Sequence, residues 1–188
     1  MKKAVFAFVV TLAMVASAEL KLGTVDMMLL VKNHPNYESN KALLESTDKD
    51  YQKKLEGVKA EGDGLQAEGK KLMEQMRNPM LTAKAKADIE KQLGEIQQKL
   101  MAIEQRYRSE AMRCRQDLQD LEGRLLRTTT DDLRKRISKF ANEKGYDFVL
   151  DSNAIPFSKP DYNVTDAILK AMGVDPATAK GNEKNESK

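Results

Sequence analysis

The sequence predicts an α+β protein that is mostly helical: a long antiparallel helical hairpin, or coiled-coil arm, on a small β-structured body. Three observations predict it. Charged residues make up 32% of the 188-residue chain and aromatics 5%, with no Trp, a composition suited to a long narrow seam rather than a thick core. Two stretches carry apolar residues at alternating steps of four and three, the heptad signature. Short strand signals stand at both ends of the heptad region.

The chain opens with Lys2-Lys3, an apolar run from Ala4 to Val15 and the small-residue triplet Ala16-Ser17-Ala18. This is the layout of a secretory signal peptide. The apolar run is shorter than the roughly 20 residues a membrane-spanning helix needs. Cleavage is expected after Ala18, so the mature chain works outside the cytoplasm, where ATP is absent. Full-chain charge is +3. Loss of Lys2 and Lys3 lowers it to about +1, unlike a nucleic-acid binder.

Leu20 to Met27 reads as a strand, with Leu22 and Val25 apolar and Thr24 β-branched. Met28 to Val31 reads as one helical turn, and Pro35 suits the first turn of the next helix. That helix is expected from Asn36 to Asn78. Its seam is Leu44, Asp48, Tyr51, Leu55, Val58, Gly62, Leu65, Gly69, Leu72 and Met76. Gly62 and Gly69 either admit a close partner helix or bend the arm; Gly57 and Gly64 lie off the seam. Asn78-Pro79 ends the helix. Thr82 is a fit N-cap for a second helix from Ala83 to Asn142. Its seam is Ile89, Leu93, Ile96, Leu100, Ile103, Tyr107, Ala111, Cys114, Leu118, Leu121 and Leu125. Two successive steps of four around Tyr107 form a stutter, and Thr128-Thr129-Thr130 marks the expected kink. Gly145 is placed to close the helix. Tyr146 to Asp151 reads as a second strand, and Val164 to Met172 as a short helix ended by Gly173.

The expected domain map follows. Residues 1–18 are the signal, 36–142 the hairpin with its tip near 78–82, and 175–188 a disordered tail. Residues 19–35 and 143–174 form the small body. Two strands and a short helix are marginal alone and leave strand edges unpaired. The body, with Leu22, Val25, Phe148, Val149, Leu150 and Ile168, is therefore expected to join with those of other copies into one sheet assembly.

The search for chemistry excludes much. One His, His34, and one Cys, Cys114, rule out two-His and CxxC metal or redox spacings. No GxSxG elbow or GxxxxGK[ST] loop is present. No catalytic residue, metal site or cofactor is assigned, and the reading is not an enzyme. His34 is expected to cap or to lie at the surface, and Cys114 to be shielded. What remains is surface. Leu72, Met73, Met76, Met80 and Leu81 make an apolar, Met-rich tip, a composition common on promiscuous binding surfaces. Leu72 and Met76 also serve to close the coiled coil. Lys84 and Lys86, with Lys91, make the tip basic, and Arg106, Arg108, Arg113 and Arg115 form a basic stretch along the arm.

From Leu20 to about Met172 the chain resembles the Skp (OmpH-like) periplasmic chaperones. The resemblance is carried by Lys21-Leu22-Gly23-Thr24-Val25-Asp26, by the charged hairpin, by Gly145-Tyr146-Asp147-Phe148-Val149-Leu150-Asp151 and by Asn163-Val164-Thr165-Asp166-Ala167-Ile168-Leu169. It implies a periplasmic homotrimer whose arms surround a cavity. It implies an ATP-independent holdase that keeps unfolded outer-membrane β-barrel proteins soluble. Contact with a membrane surface or lipopolysaccharide is implied for some members, with no residue assigned here. The alternative is a structural tether of the cell envelope with one specific partner.

Overall fold

In a computed structural model, which describes residues 20–179, the predicted elements stand in the predicted order. Strand β1 is Leu22–Val25 and helix α1 is Met27–Lys32. Helices α2 (Tyr37–Met76) and α3 (Ala83–Lys144) follow. Strand β2 is Phe148–Asp151, and a loop with two 3-10 turns leads to α4, Thr165–Ala171. The expected signal peptide lies outside the described residues. No helix among the described residues is long and apolar enough to cross a membrane.

The chain divides into two compact units, the described residues of Met1–Met27 with Lys135–Lys188, and Met28–Arg134. In the first, β1 and β2 pair in parallel, with Leu22 opposite Phe148 and Val25 opposite Asp151. A parallel pair needs a long crossover, and here the crossover contains the whole hairpin. Thr24 forms a further bridge to Asn163 on the other side of β1. The Val164 N–H donates to the Thr24 carbonyl at 2.8 Å, and the Asp26 N–H to Thr165 Oγ1 at 2.9 Å. These bonds lay the start of α4 against β1. Val25, Val164, Thr165, Ile168 and Leu169 are buried there. Val25 and Ile168, two residues assigned to the oligomerisation body, are buried in this small core.

Gly23 has a packing reason. A Cβ there would come within 3.3 Å of the Tyr146 ring and 3.4 Å of Val164. Tyr146 stacks on Phe140 with centroids 5.9 Å apart, and Lys21 Nζ sits 4.3 Å from the Tyr146 centroid. The loop into β2 turns at Gly145, whose φ is +68°, a conformation that is strained for a residue with a Cβ. Gly145→Ala is expected to lower stability by about 1 kcal/mol, read from the midpoint of urea unfolding. An unchanged midpoint would mean the turn relaxes without cost.

In the second unit, α2 runs antiparallel to the facing part of α3. Lys54 pairs with Glu110 and Glu61 with Arg106; a Cβ on Gly62 would touch Ile103, and one on Gly69 would touch Ile96. Forty residues of α2 correspond to a length of about 60 Å at 1.5 Å per residue. Every predicted α2 seam residue is buried or half-buried. The α3 seam holds equally, except that Tyr107 is exposed. The stutter rotates it off the line, and Glu110 turns inward in its place.

Two local expectations, on Pro35 and on the start of the tail, are corrected. Pro35 precedes the N-cap residue Asn36 and lies outside α2. Thr128–Thr130, where the kink was expected, lies within continuous helix α3. Thr129 is buried and its hydroxyl receives the Asn40 side-chain amide at 3.4 Å, so this β-branched stretch is held by packing. Residues 176–179 form a helical turn, with the Ala179 N–H bonded to the Asp175 carbonyl. Order therefore extends past residue 175, where the tail was expected to begin; residues 180–188 lie outside the described part.

Candidate functional site

The hairpin tip is built by backbone capping. Arg77 ends α2, its N–H donating to the Glu74 carbonyl at 3.2 Å while the Asn78 N–H donates to the Gln75 carbonyl at 3.0 Å. Asn78 Oδ1 accepts the Met80 N–H at 3.0 Å, which turns the chain, and Thr82 Oγ1 accepts the Ala85 N–H at 3.2 Å as the N-cap of α3. This geometry leaves Met80 87% exposed and Met73 57% exposed. Leu72, Met76 and Leu81 are half-buried and close the seam, while Lys84 and Lys86 are exposed. The tip thus presents two unbranched apolar side chains beside two ammonium groups, a surface suited to many weak contacts with a chain of variable sequence.

In the strand unit, Leu22, Phe148 and Leu150 are exposed and Val149 is half-buried. The register places Leu22 opposite Phe148 and Thr24 opposite Leu150. Side chains two apart share a face of a strand, so the three exposed residues line one apolar face. Phe157 and Tyr162, in the following loop, are exposed too.

Met101 and Met112 on α3 were not singled out by sequence, yet they are 57% and 73% exposed. Each directly follows a seam residue, Leu100 and Ala111, as exposed Leu126 follows Leu125. Their common heptad position was the available signal: they recur on one outward face of α3.

Two polar sites brace the hairpin. His34 is buried; its Nε2 lies 3.0 Å from Asp132 Oδ2, and its Nδ1 accepts the Asn36 N–H at 3.1 Å. With Nδ1 accepting, Nε2 is the donor to Asp132. His34 thus holds the Asn36 N–H just before α2, and it does so from a buried position rather than from the surface. Farther along, the hydrogen bond between Lys54 and Glu110 raises the Lys54 pKa and lowers that of Glu110. Partial desolvation opposes both shifts, and the attraction between the two charges adds to them.

The Glu110 contribution is present above its unfolded value and is lost as pH falls through its lowered folded value. The Lys54 contribution is lost as pH rises through its raised value. Carboxyl NMR is expected to place the Glu110 midpoint below the ordinary glutamate value of about 4.3, and Lys54→Met to move it back up. A wild-type midpoint at or above the ordinary value would contradict the pairing.

Cys114 is buried in the seam. Among the described residues no group of three His, Cys, Asp or Glu side chains converges to hold a metal ion.

The sequence matches the family model described as Outer membrane protein (OmpH-like) over residues 21–172. That span takes in both strands, the hairpin and α4. Comparison with curated proteins gives no match.

Proposed function

The chain belongs to the OmpH-like family, whose members are periplasmic chaperones of outer-membrane proteins, and from that premise we propose that it is an ATP-independent holdase for unfolded β-barrel chains. The observation that carries this reading is the Met-rich, basic tip of a long charged hairpin. Met73 and Met80 stand in solvent where a folded monomer gains nothing from them. An unfolded barrel strand alternates apolar and polar side chains, so it offers both contacts such a tip can use. Binding by many weak contacts lets clients differ in sequence. Release without fuel follows when insertion and folding in the membrane are more favourable than remaining bound.

The apolar face of Leu22, Phe148 and Leu150 supports oligomerisation. A two-stranded sheet is marginal alone; covering that face with other copies removes the exposed apolar surface, and pairing a strand of another copy alongside the sheet removes an unpaired edge. We assign the oligomer as a trimer with the client held between its arms, on the family resemblance. The compartment is the periplasm, reached by the expected leader.

Client range is the test. Immobilised chain is offered three sequence-unrelated outer-membrane barrels, each urea-unfolded and each folded in detergent. Capture of all three unfolded forms and none of the folded ones is expected. Failure to capture any, or capture of one alone in both states, would replace the holdase with a tether.

A further inference from the structure

Helix α2 contains Gly57, Gly62, Gly64 and Gly69 within a stretch that is helical throughout. Packing requires none of them. A Cβ at Gly57 or Gly64 meets nothing within 4 Å. At Gly62 it would lie 3.5 Å from Ile103 Cγ2, and at Gly69 3.7 Å from Ile96 Cγ2, both ordinary van der Waals contacts. Alanine fits at all four positions, and none has a positive φ. What the glycines change is the cost of leaving the helix, because glycine regains more backbone freedom on unfolding than any other residue.

The arrangement is one-sided. The facing stretch of α3, located by the Glu61–Arg106 pair and by Ile96 and Ile103, has no glycine between Gly94 and Gly123. The seam is thin at the same place. Gly62 and Gly69 occupy two of its positions without contributing a side chain, so Ile103 and Ile96 meet backbone there. The ion pair joining the helices in this stretch, Glu61 with Arg106, is solvent-exposed, and such pairs hold little.

We infer that α2 between Gly57 and Gly69 opens as a local unit while α3 stays helical, making the arm soft on its outgoing helix alone. Opening bares Val58 and Ile96, which the closed seam leaves only 8% and 7% exposed. It thereby uncovers an apolar strip along α3 that the closed hairpin conceals. The inference stands on the hairpin alone and does not depend on what the protein binds.

Hydrogen exchange on the full chain without any client tests it. Peptides covering 57–69 are expected to exchange at least about ten-fold faster than peptides covering 96–110, the surface they pack on. Gly57→Ala with Gly64→Ala is the decisive pair, because these positions touch nothing and can act only through helix stability. That pair is expected to slow exchange in 57–69 by roughly 25-fold, from about five-fold per substitution. All four replacements together are expected to slow it by roughly 600-fold, while Gly123→Ala on α3 leaves it unchanged. Equal exchange of the two stretches in the unaltered chain would overturn the inference. So would slowing that appears only with the seam pair, Gly62→Ala and Gly69→Ala, since that would be a packing effect.

Discussion

Replacing Leu169 by Ala is expected to lower the stability of the strand-and-α4 unit by about 2–5 kcal/mol, the usual cost of emptying a fully buried leucine site. Leu169 is fully buried, and its carbonyl accepts the N–H groups of Met172 and Val174 at the end of α4. The unit has few other means of support. Its sheet is two strands of four residues, and its interior rests on Val25, Val164, Thr165, Ile168 and Leu169. A loss of this size approaches the whole stability of a small unit. The near-UV signal of Tyr146, which stacks on Phe140, is expected to be lost at lower urea in the variant. Leu169→Met, which conserves volume, is expected to cost less than about 1.5 kcal/mol. Equal behaviour of the two variants would show that the site is not tightly packed.

The second large effect is at the tip. Met73→Glu with Met80→Glu is expected to weaken capture of an unfolded barrel by roughly ten-fold or more. Each exposed methionine that becomes buried against a client contributes up to about 1.5–3 kcal/mol, and each 1.4 kcal/mol is ten-fold in affinity. The new carboxylates would also pair with Lys84 and Lys86 and reduce the positive charge offered to the client. Neither methionine holds the seam, so stability and oligomer mass are expected to stay the same. Met112→Glu, on the outward face of α3, serves as the comparison and is expected to have the smaller effect. A greater loss with Met112→Glu would move the binding surface from the tip to the arm.

The hairpin was the legible part of the sequence because one periodicity specifies it. Steps of four and three bring Leu44, Val58, Leu72, Ile89, Ile96 and Cys114 to one line whatever the rest of the chain does. The caps were legible for the same local reason: Thr82 bonds the Ala85 N–H, and Gly145 takes a positive φ. Tyr107 was misplaced because a stutter can be accommodated by either of two neighbouring positions, and the helix admits Glu110. The body was harder to read. Its parallel register and the Thr24–Asn163 bridge join residues far apart in sequence, and no local pattern records such a pairing. Composition flagged Val25, Phe148, Leu150 and Ile168 alike as apolar. The sheet then turns Phe148 and Leu150 outward, while α4 and β1 bury Ile168 and Val25. At the tip the residue types were legible, but which methionines face solvent depended on where α2 stops.

The most direct measurement is light scattering from a urea-unfolded outer-membrane β-barrel protein diluted into buffer without ATP, with and without the purified chain. The account predicts suppression that saturates near one trimer per client and is lost in the Met73→Glu, Met80→Glu variant. Undiminished scattering in the presence of a well-folded oligomer would contradict it.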